Sequence, residues 1–246
     1  MAPSSYWLVM PAAGRGQRFG AELPKQYLSL HGRSMLEWAL RPFLADAACA
    51  GVMVAVSRGD AHWPALRAAL GARVRDCEGG AERADSVRAA LDALLASGVA
   101  ADAWVLVHDA ARPCVSAGEI AALRGTVLRH AAGEALDGGL LALPLADTLK
   151  RGAPHAAGVR VSDTVARESL WRALTPQMFR LGALHAALLA AQREGRVPTD
   201  EAQAIEWAGG APQLVTGEST NLKVTTPADF GLAGRILQAV EFAGER

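Results

Sequence analysis

Four short stretches hold residues whose types and spacing fit chemistry. The first is Pro11-Ala12-Ala13-Gly14-Arg15-Gly16-Gln17-Arg18-Phe19-Gly20, followed by Pro24-Lys25-Gln26. Its glycines at 14, 16 and 20 read GxGxxxG, one residue too long for the dinucleotide fingerprint, and no Gly-Lys-Ser/Thr ending makes it a P-loop. What remains is backbone that can approach a phosphate closely, ringed by Arg15, Arg18 and Lys25. Backbone N–H groups and fixed cations suit a triphosphate, whose charge must be neutralised during transfer. A solvated basic turn is the plain alternative.

The second stretch, Gly79-Gly80-Ala81-Glu82-Arg83-Ala84-Asp85-Ser86, lets backbone come near a flat ligand such as a base, with Ser86 in hydrogen-bonding reach. It also reads as an ordinary acidic helix start. The third, His108-Asp109-Ala110-Ala111-Arg112-Pro113, closes an apolar run. Asp109 is a hard oxygen donor of the kind that holds Mg²⁺ together with substrate phosphates, and Arg112 suits a second anion. A surface Asp–Arg pair is the competing reading, and His108 reads as structural. The fourth, Thr220-Asn221-Leu222-Lys223-Val224-Thr225, presents one lysine, which also fits an edge-strand gatekeeper. No GxSxG elbow or Cys/His pairing supplies a nucleophile. Cations, a carboxylate and glycine loops together fit phosphoryl or nucleotidyl transfer.

These stretches follow elements that can position them. Apolar runs of strand length at 6–10, 52–56, 104–108 and 140–143 alternate with helical patterns, with a further short strand near 73–77. Capping boxes at Ser34–Glu37 and Ser116–Glu119 open helices to about Ala45 and Ala132. Further helices are expected from Asp60, over 84–96, over 181–194, from Thr199 or Asp200, and from Pro227, which Thr226 can cap. Two short strands are expected near 213–215 and 221–224. The pattern predicts an α/β, Rossmann-like, mostly parallel sheet with helices on both faces. Chemistry then belongs in the loops after the strands. Residues 145–171 break the rhythm and read as an arm inserted in a single domain spanning 1–246. An arm without its own core needs something to pack on, which points to a partner subunit.

Composition narrows the function classes. The 246 residues carry 25 Lys plus Arg and 25 Asp plus Glu, so the chain lacks the basic excess of a nucleic-acid binder. Its longest apolar stretches are strand-length, so no membrane span is expected. Three scattered cysteines and the lack of a basic leader before the first apolar run point to a reduced, cytoplasmic protein.

Taken in order, these stretches, with Pro24-Lys25-Gln26-Tyr27-Leu28, Leu174-Thr175-Pro176-Gln177 and Thr199-Asp200-Glu201-Ala202, closely resemble the 2-C-methyl-D-erythritol 4-phosphate cytidylyltransferases from first strand to last helix. The resemblance implies transfer of a cytidylyl group from CTP to 2-C-methyl-D-erythritol 4-phosphate, with release of pyrophosphate, in non-mevalonate isoprenoid biosynthesis. It implies that Arg18 and Lys25 stabilise the transition state and that Lys223 acts at the α-phosphate. Asp109 would bind Mg²⁺. The nucleotide would sit against Ala12, Ala13, Gly14, Gly16, Gly80 and Ser86. Arg112, Thr148, Arg167 and Thr199 would serve the methylerythritol phosphate, with Thr148 and Arg167 reaching a partner's site across a homodimer formed through the arm. Where the family often carries Asp beside the base pocket, this chain has Ala81. Ribitol 5-phosphate as acceptor, or a non-catalytic nucleotide-binding protein on the same scaffold, are the alternative readings.

Overall fold

The computed structural model describes residues 5–14, 23–130 and 137–244. Its strands are β1 (Tyr6–Pro11), β2 (Ser29–Leu30), β3 (Arg33–Ser34), β4 (Cys49–Val56), β5 (Val74–Glu78), β6 (Trp104–Val107), β7 (Gly139–Pro144), β8 (Leu149–His155), β9 (Gly158–Val165), β10 (Trp171–Arg180) and β11 (Gln213–Thr216). Its helices are α1 (Met35–Ala45), α2 (Trp63–Leu70), α3 (Arg83–Ala96), α4 (Ala117–His130), α5 (Leu181–Arg193), α6 (Glu201–Trp207) and α7 (Pro227–Gly244).

Seven strands form one sheet in the order β11-β7-β10-β6-β1-β4-β5. β1 pairs in parallel with β4 and β6, β4 with β5, and β7 with β11. β10 alone runs antiparallel, between β6 and β7. The period of two is visible along β1. Leu8 and Met10 enter a core with Leu36, Leu40 and Phe43 of α1 and Ile120 and Leu123 of α4. Val9, between them, enters the opposite core with Val87, Leu91 and Leu94 of α3 and Leu181 and Leu184 of α5. Alternating side chains thus feed two cores, one on each sheet face. A third cluster packs Ala233 and Leu237 of α7 against Met35 and Trp38 of α1 and against Val224.

Both expected capping boxes are present. Ser34 Oγ accepts the Glu37 N–H at 3.2 Å while Glu37 accepts the Ser34 N–H at 2.6 Å. Ser116 and Glu119 exchange the same pair at 3.0 and 3.1 Å.

Three expectations need correction. Residues 171–180 form a strand that periodicity did not predict, because Pro176 lies within it and a proline argues against a central strand. The sheet tolerates Pro176 because ladder pairing lapses between Ala173 and Gln177. Residues 221–224 are a loop and not a strand: the Val224 N–H goes to the Ala111 carbonyl at 2.8 Å instead of to a ladder. The helix expected from Asp60 begins at Trp63, since the Asp60 carboxylate accepts the His62 and Trp63 N–H groups and holds a turn ahead of it. The arm is a β8–β9 hairpin forming a sheet of its own, and the chain rejoins the main sheet at Trp171.

Candidate active site

The carboxyl ends of β1, β4, β5 and β6 lie along one edge of the sheet. Strand order reverses about β1: the chain runs outward to β4 and β5, then returns to place β6 on the other side of β1. The loops after β1 and β6 therefore flank the crevice where open α/β sheets bind ligands.

The loop after β1 is pinned at its base. The Ala12 N–H donates to the Ala55 carbonyl, Gln26 Nε2 donates to the Ala12 carbonyl at 2.9 Å, and Ser57 Oγ donates to the Ala13 carbonyl at 2.7 Å. Facing it is the loop after β5. A Cβ on Gly79 would stand 2.6 Å from Ala13 Cβ and 2.9 Å from Ser86 Oγ, so only glycine lets the two loops approach this closely. Ser86 is buried and works on its own loop: its Oγ accepts the Gly80 N–H at 3.1 Å and donates to the Glu82 carbonyl at 3.2 Å. Ala13 is thus brought against the loop that carries Gly80 and Ser86, with Ala12 and Gly14 on either side of it in the chain. Gly79 belongs with them: the sequence marked both glycines of the pair for close approach, while the family resemblance named Gly80 alone. Gly16 and Arg18, like Arg15, lie outside the described residues.

The loop after β6 carries the charge. Asp109 Oδ1 accepts from Arg83 Nε at 2.7 Å, Oδ2 lies 2.7 Å from Lys223 Nζ, and Arg112 Nε stands 3.9 Å away. Burial works to raise the Asp109 pKa, but the Arg83 and Lys223 cations more than offset it and hold the carboxyl well below the usual carboxylate range. Arg83 is itself held from behind, with Nη1 and Nη2 donating to the two oxygens of Glu201 at 2.6 and 3.0 Å. Burial favours the neutral guanidine there, and Glu201 and Asp109 outweigh it, so Arg83 stays protonated.

The irregular part of β10 ties these loops together. Thr175 Oγ1 accepts the Asp109 N–H at 3.1 Å and meets His108 Nδ1 at 3.0 Å. His108 Nε2 lies 3.1 Å from the Arg112 carbonyl, which can only accept. That fixes the proton on Nε2 and makes Nδ1 an acceptor for the Thr175 hydroxyl. His108 is fully buried, and burial pushes its pKa down to about 4, so the ring is neutral near pH 7. It is structural, as the sequence reading had it. The Thr175 carbonyl accepts from Asn221 Nδ2 at 2.9 Å, and the Asn221 carbonyl accepts from Arg112 Nη1 at 2.8 Å. Buried Glu119 receives the same Asn221 amide and the Glu218 N–H. Lys223 is therefore carried by a loop stitched to α4, β10 and the Asp109 loop. Lys25, in a short 3-10 turn (Lys25–Tyr27), donates to the Val224 carbonyl at 3.1 Å, which ties it to the backbone next to Lys223.

Sequence reasoning missed Arg83 and Glu201 as site residues. Both stand in stretches singled out for other members, and only the fold brings residues 118 positions apart into a bidentate pair. Thr199 is adjacent in chain to this cluster and exposed just ahead of α6; its N–H donates to Gln203 Oε1. Thr148 and Arg167 flank the hairpin and are exposed.

Among the described residues, no group of three or more His, Cys, Asp and Glu side chains forms a metal cage. Asp109 is an ionised hard donor at the strand ends, which fits a magnesium ion shared with substrate phosphates and not a cage built wholly from protein.

Known proteins share this chain's sequence and fold over most of its length. The family model for 2-C-methyl-D-erythritol 4-phosphate cytidylyltransferase matches residues 6–239. The enzyme of that name from Pseudomonas putida KT2440 is 51% identical over 226 residues, covering 92% of this chain and 93% of the relative. That from Halorhodospira halophila is 51% identical over 246 residues, covering 98% and 97%. Among solved structures, a 4-diphosphocytidyl-2C-methyl-D-erythritol synthase superposes with a TM-score of 0.80 at 36% identity, covering 95% of this chain and 98% of the other. The Francisella tularensis 2-C-methyl-D-erythritol 4-phosphate cytidylyltransferase gives 0.78 at 32%, covering 95% and 100%. With two glycine loops facing each other, an ionised aspartate paired with Arg83 and Lys223, and matches of this extent, the chain belongs to the 2-C-methyl-D-erythritol 4-phosphate cytidylyltransferase family.

Proposed function

We propose that this chain transfers the cytidylyl group of CTP to 2-C-methyl-D-erythritol 4-phosphate, giving 4-diphosphocytidyl-2-C-methyl-D-erythritol and pyrophosphate. A phosphate oxygen of the acceptor bonds to the α-phosphorus, and the α–β bridging P–O bond breaks with its electron pair leaving on pyrophosphate. The observation that carries this reading is the Asp109–Lys223 pair at the strand ends beside the facing glycine loops, with Lys25 tied to the neighbouring Val224 carbonyl. Little covalent chemistry is asked of the protein in such a transfer; positioning and charge neutralisation do the work.

In this reading Ala12, Ala13, Gly14, Gly79 and Gly80 line the cytidine side, and Ser86 keeps the second loop in shape. Lys25, joined by Arg18 and Gly16 from the family pattern, receives the triphosphate. Lys223 reaches the α-phosphate when it leaves Asp109. Asp109 would then hold magnesium, which when bound neutralises and orients the triphosphate oxygens. Arg112, with Thr199 beyond it, serves the acceptor side. Alanine at 81 leaves recognition of the base to backbone groups.

The arm supports a homodimer. An isolated two-stranded hairpin is marginal in water, yet β8–β9 carries Val159 at 77% and Val161 at 62% exposure. A second copy covering that face would bring Thr148 and Arg167 to the neighbouring site. No helix among the described residues is long and apolar enough to cross a membrane. Three free cysteines accord with a reducing, cytoplasmic setting.

The test is pyrophosphate release across nucleoside triphosphates and polyol phosphates. Turnover should require CTP, methylerythritol phosphate and a divalent cation. Equal turnover with ribitol 5-phosphate would overturn the acceptor, and CTP binding without turnover on any acceptor would overturn catalysis.

A further inference from the structure

The Asp109 carboxylate is gripped by two cations of opposite character. On Oδ1 sits Arg83 Nε, 2.7 Å away, while the other two guanidinium nitrogens are spent on Glu201. Glu201 is 1% exposed, so the Arg83 fork is locked from its buried side. On Oδ2 sits Lys223 Nζ, also at 2.7 Å, on a side chain 43% exposed to solvent. A guanidinium held at three nitrogens keeps one geometry, whereas an ammonium on a four-carbon stem can leave without disturbing the rest. A buried ion pair that merely tied α3 to α6 would be complete with the two Arg83–Glu201 bonds. It would have no need of the third, through Nε, onto a loop at the strand ends.

Resting on the cytidylyl-transfer reading, we propose that Arg83 and Glu201 are a positioning pair for Asp109. They fix Oδ1, so that Oδ2 alone is exchangeable between Lys223 and the divalent cation that accompanies CTP. Release of Lys223 towards phosphate and exposure of Oδ2 to the cation then become one event. Asp109 presents its free oxygen along a single direction because its other oxygen cannot rotate away. Glu201 touches no substrate in this scheme and acts only through Arg83.

Calorimetric titration of CTP into the full chain, once with Mg²⁺ and once in EDTA, tests this without turnover. Removing a partner that orients a metal ligand costs about 10–100-fold in metal affinity. Glu201→Gln should therefore cut the Mg²⁺-dependent gain in CTP affinity by about 10-fold or more, or abolish it where the wild-type gain is smaller, while the affinity in EDTA stays close to wild type. Arg83→Lys keeps the charge but cannot bridge, and should lose the gain in part. In an Asp109→Asn background, Glu201→Gln should change nothing further. Full retention of the Mg²⁺ gain in both Glu201→Gln and Arg83→Lys overturns the proposal. So does an equal loss with and without Mg²⁺, which would make the pair structural. A wild-type chain that does not bind CTP at all fails at the functional reading itself, so the two failures are told apart.

Discussion

The strand-end cluster and the β8–β9 hairpin solve opposite problems within one chain. At the strand ends every oxygen of Asp109 and Glu201 has a cationic partner, and the backbone around them is tied down through Thr175, Asn221 and Glu119. In the hairpin, the cross-strand contacts Arg151–Asp163 and Lys150–Thr164 are solvent-exposed, and Val159 and Val161 stand in water. Exposed ion pairs of that kind contribute little. One region is finished by its own chain; the other leaves apolar side chains uncovered, which is what the proposed second copy would cover. Pre-organisation for group transfer needs a rigid, buried base, while an arm proposed to reach a second copy has to stay exposed on its own chain.

The largest expected effect tests the finished region. Lys25→Ala should lower turnover by about 10²–10³-fold, the scale of losing one charge-stabilising donor, with the circular dichroism spectrum unchanged. Activity left intact would remove the loop from the mechanism.

The second prediction sharpens the same region through pH. His108 is held neutral by burial, with a pKa near 4 against 6.5 when free. Between those values the unfolded chain binds a proton that the folded chain refuses. Stability is therefore full above about pH 6.5 and falls as pH drops towards 4, by about 3 kcal/mol in all. Urea titrations of wild type and His108→Gln should show that slope in the first and a flatter one in the second.

The third addresses the arm. Arg167→Ala and Lys25→Ala chains, each impaired alone, should recover activity when mixed, because half of the dimers formed carry one intact site of two. About a quarter of wild-type turnover is the ceiling for random exchange in a two-fold dimer. Exchange confirmed by native mass spectrometry with no recovery would place Arg167 in its own chain's site.

The smallest effect separates the regions most directly. Val161→Ser should change folding stability by less than about 0.5 kcal/mol, as exposed substitutions do, while sedimentation velocity shows a weaker dimer. A clear loss of folding stability, with association unchanged, would mean that the hairpin packs on its own chain.

Much of the candidate site is legible in the sequence. Glycines at Gly14 and Gly80, the aspartate closing the β6 run and the lysine at 223 each stand beside a local signal. Local signals lie in neighbouring residues, and so do the two capping boxes and the alternation along β1. The misses have one cause. Pro176 hides β10 because propensity counts the ladder bond a proline cannot make, and it cannot count the lapse in pairing that makes that bond unnecessary. Asn221–Val224 looks like a strand by composition, but its backbone partner is the Ala111 carbonyl on another loop.

By itself, then, the amino-acid order determined the α/β alternation, the loops that carry glycine and charge, and the kind of chemistry those residue types allow. Only tertiary structure decided that Arg83 faces Glu201 and Asp109 at once, that Lys25 reaches the backbone beside Lys223, and that an irregular strand ties the loops to one another. Such pairings depend on which strand ends meet across the sheet. That is set by the packing of two buried cores and is written in no single stretch of sequence.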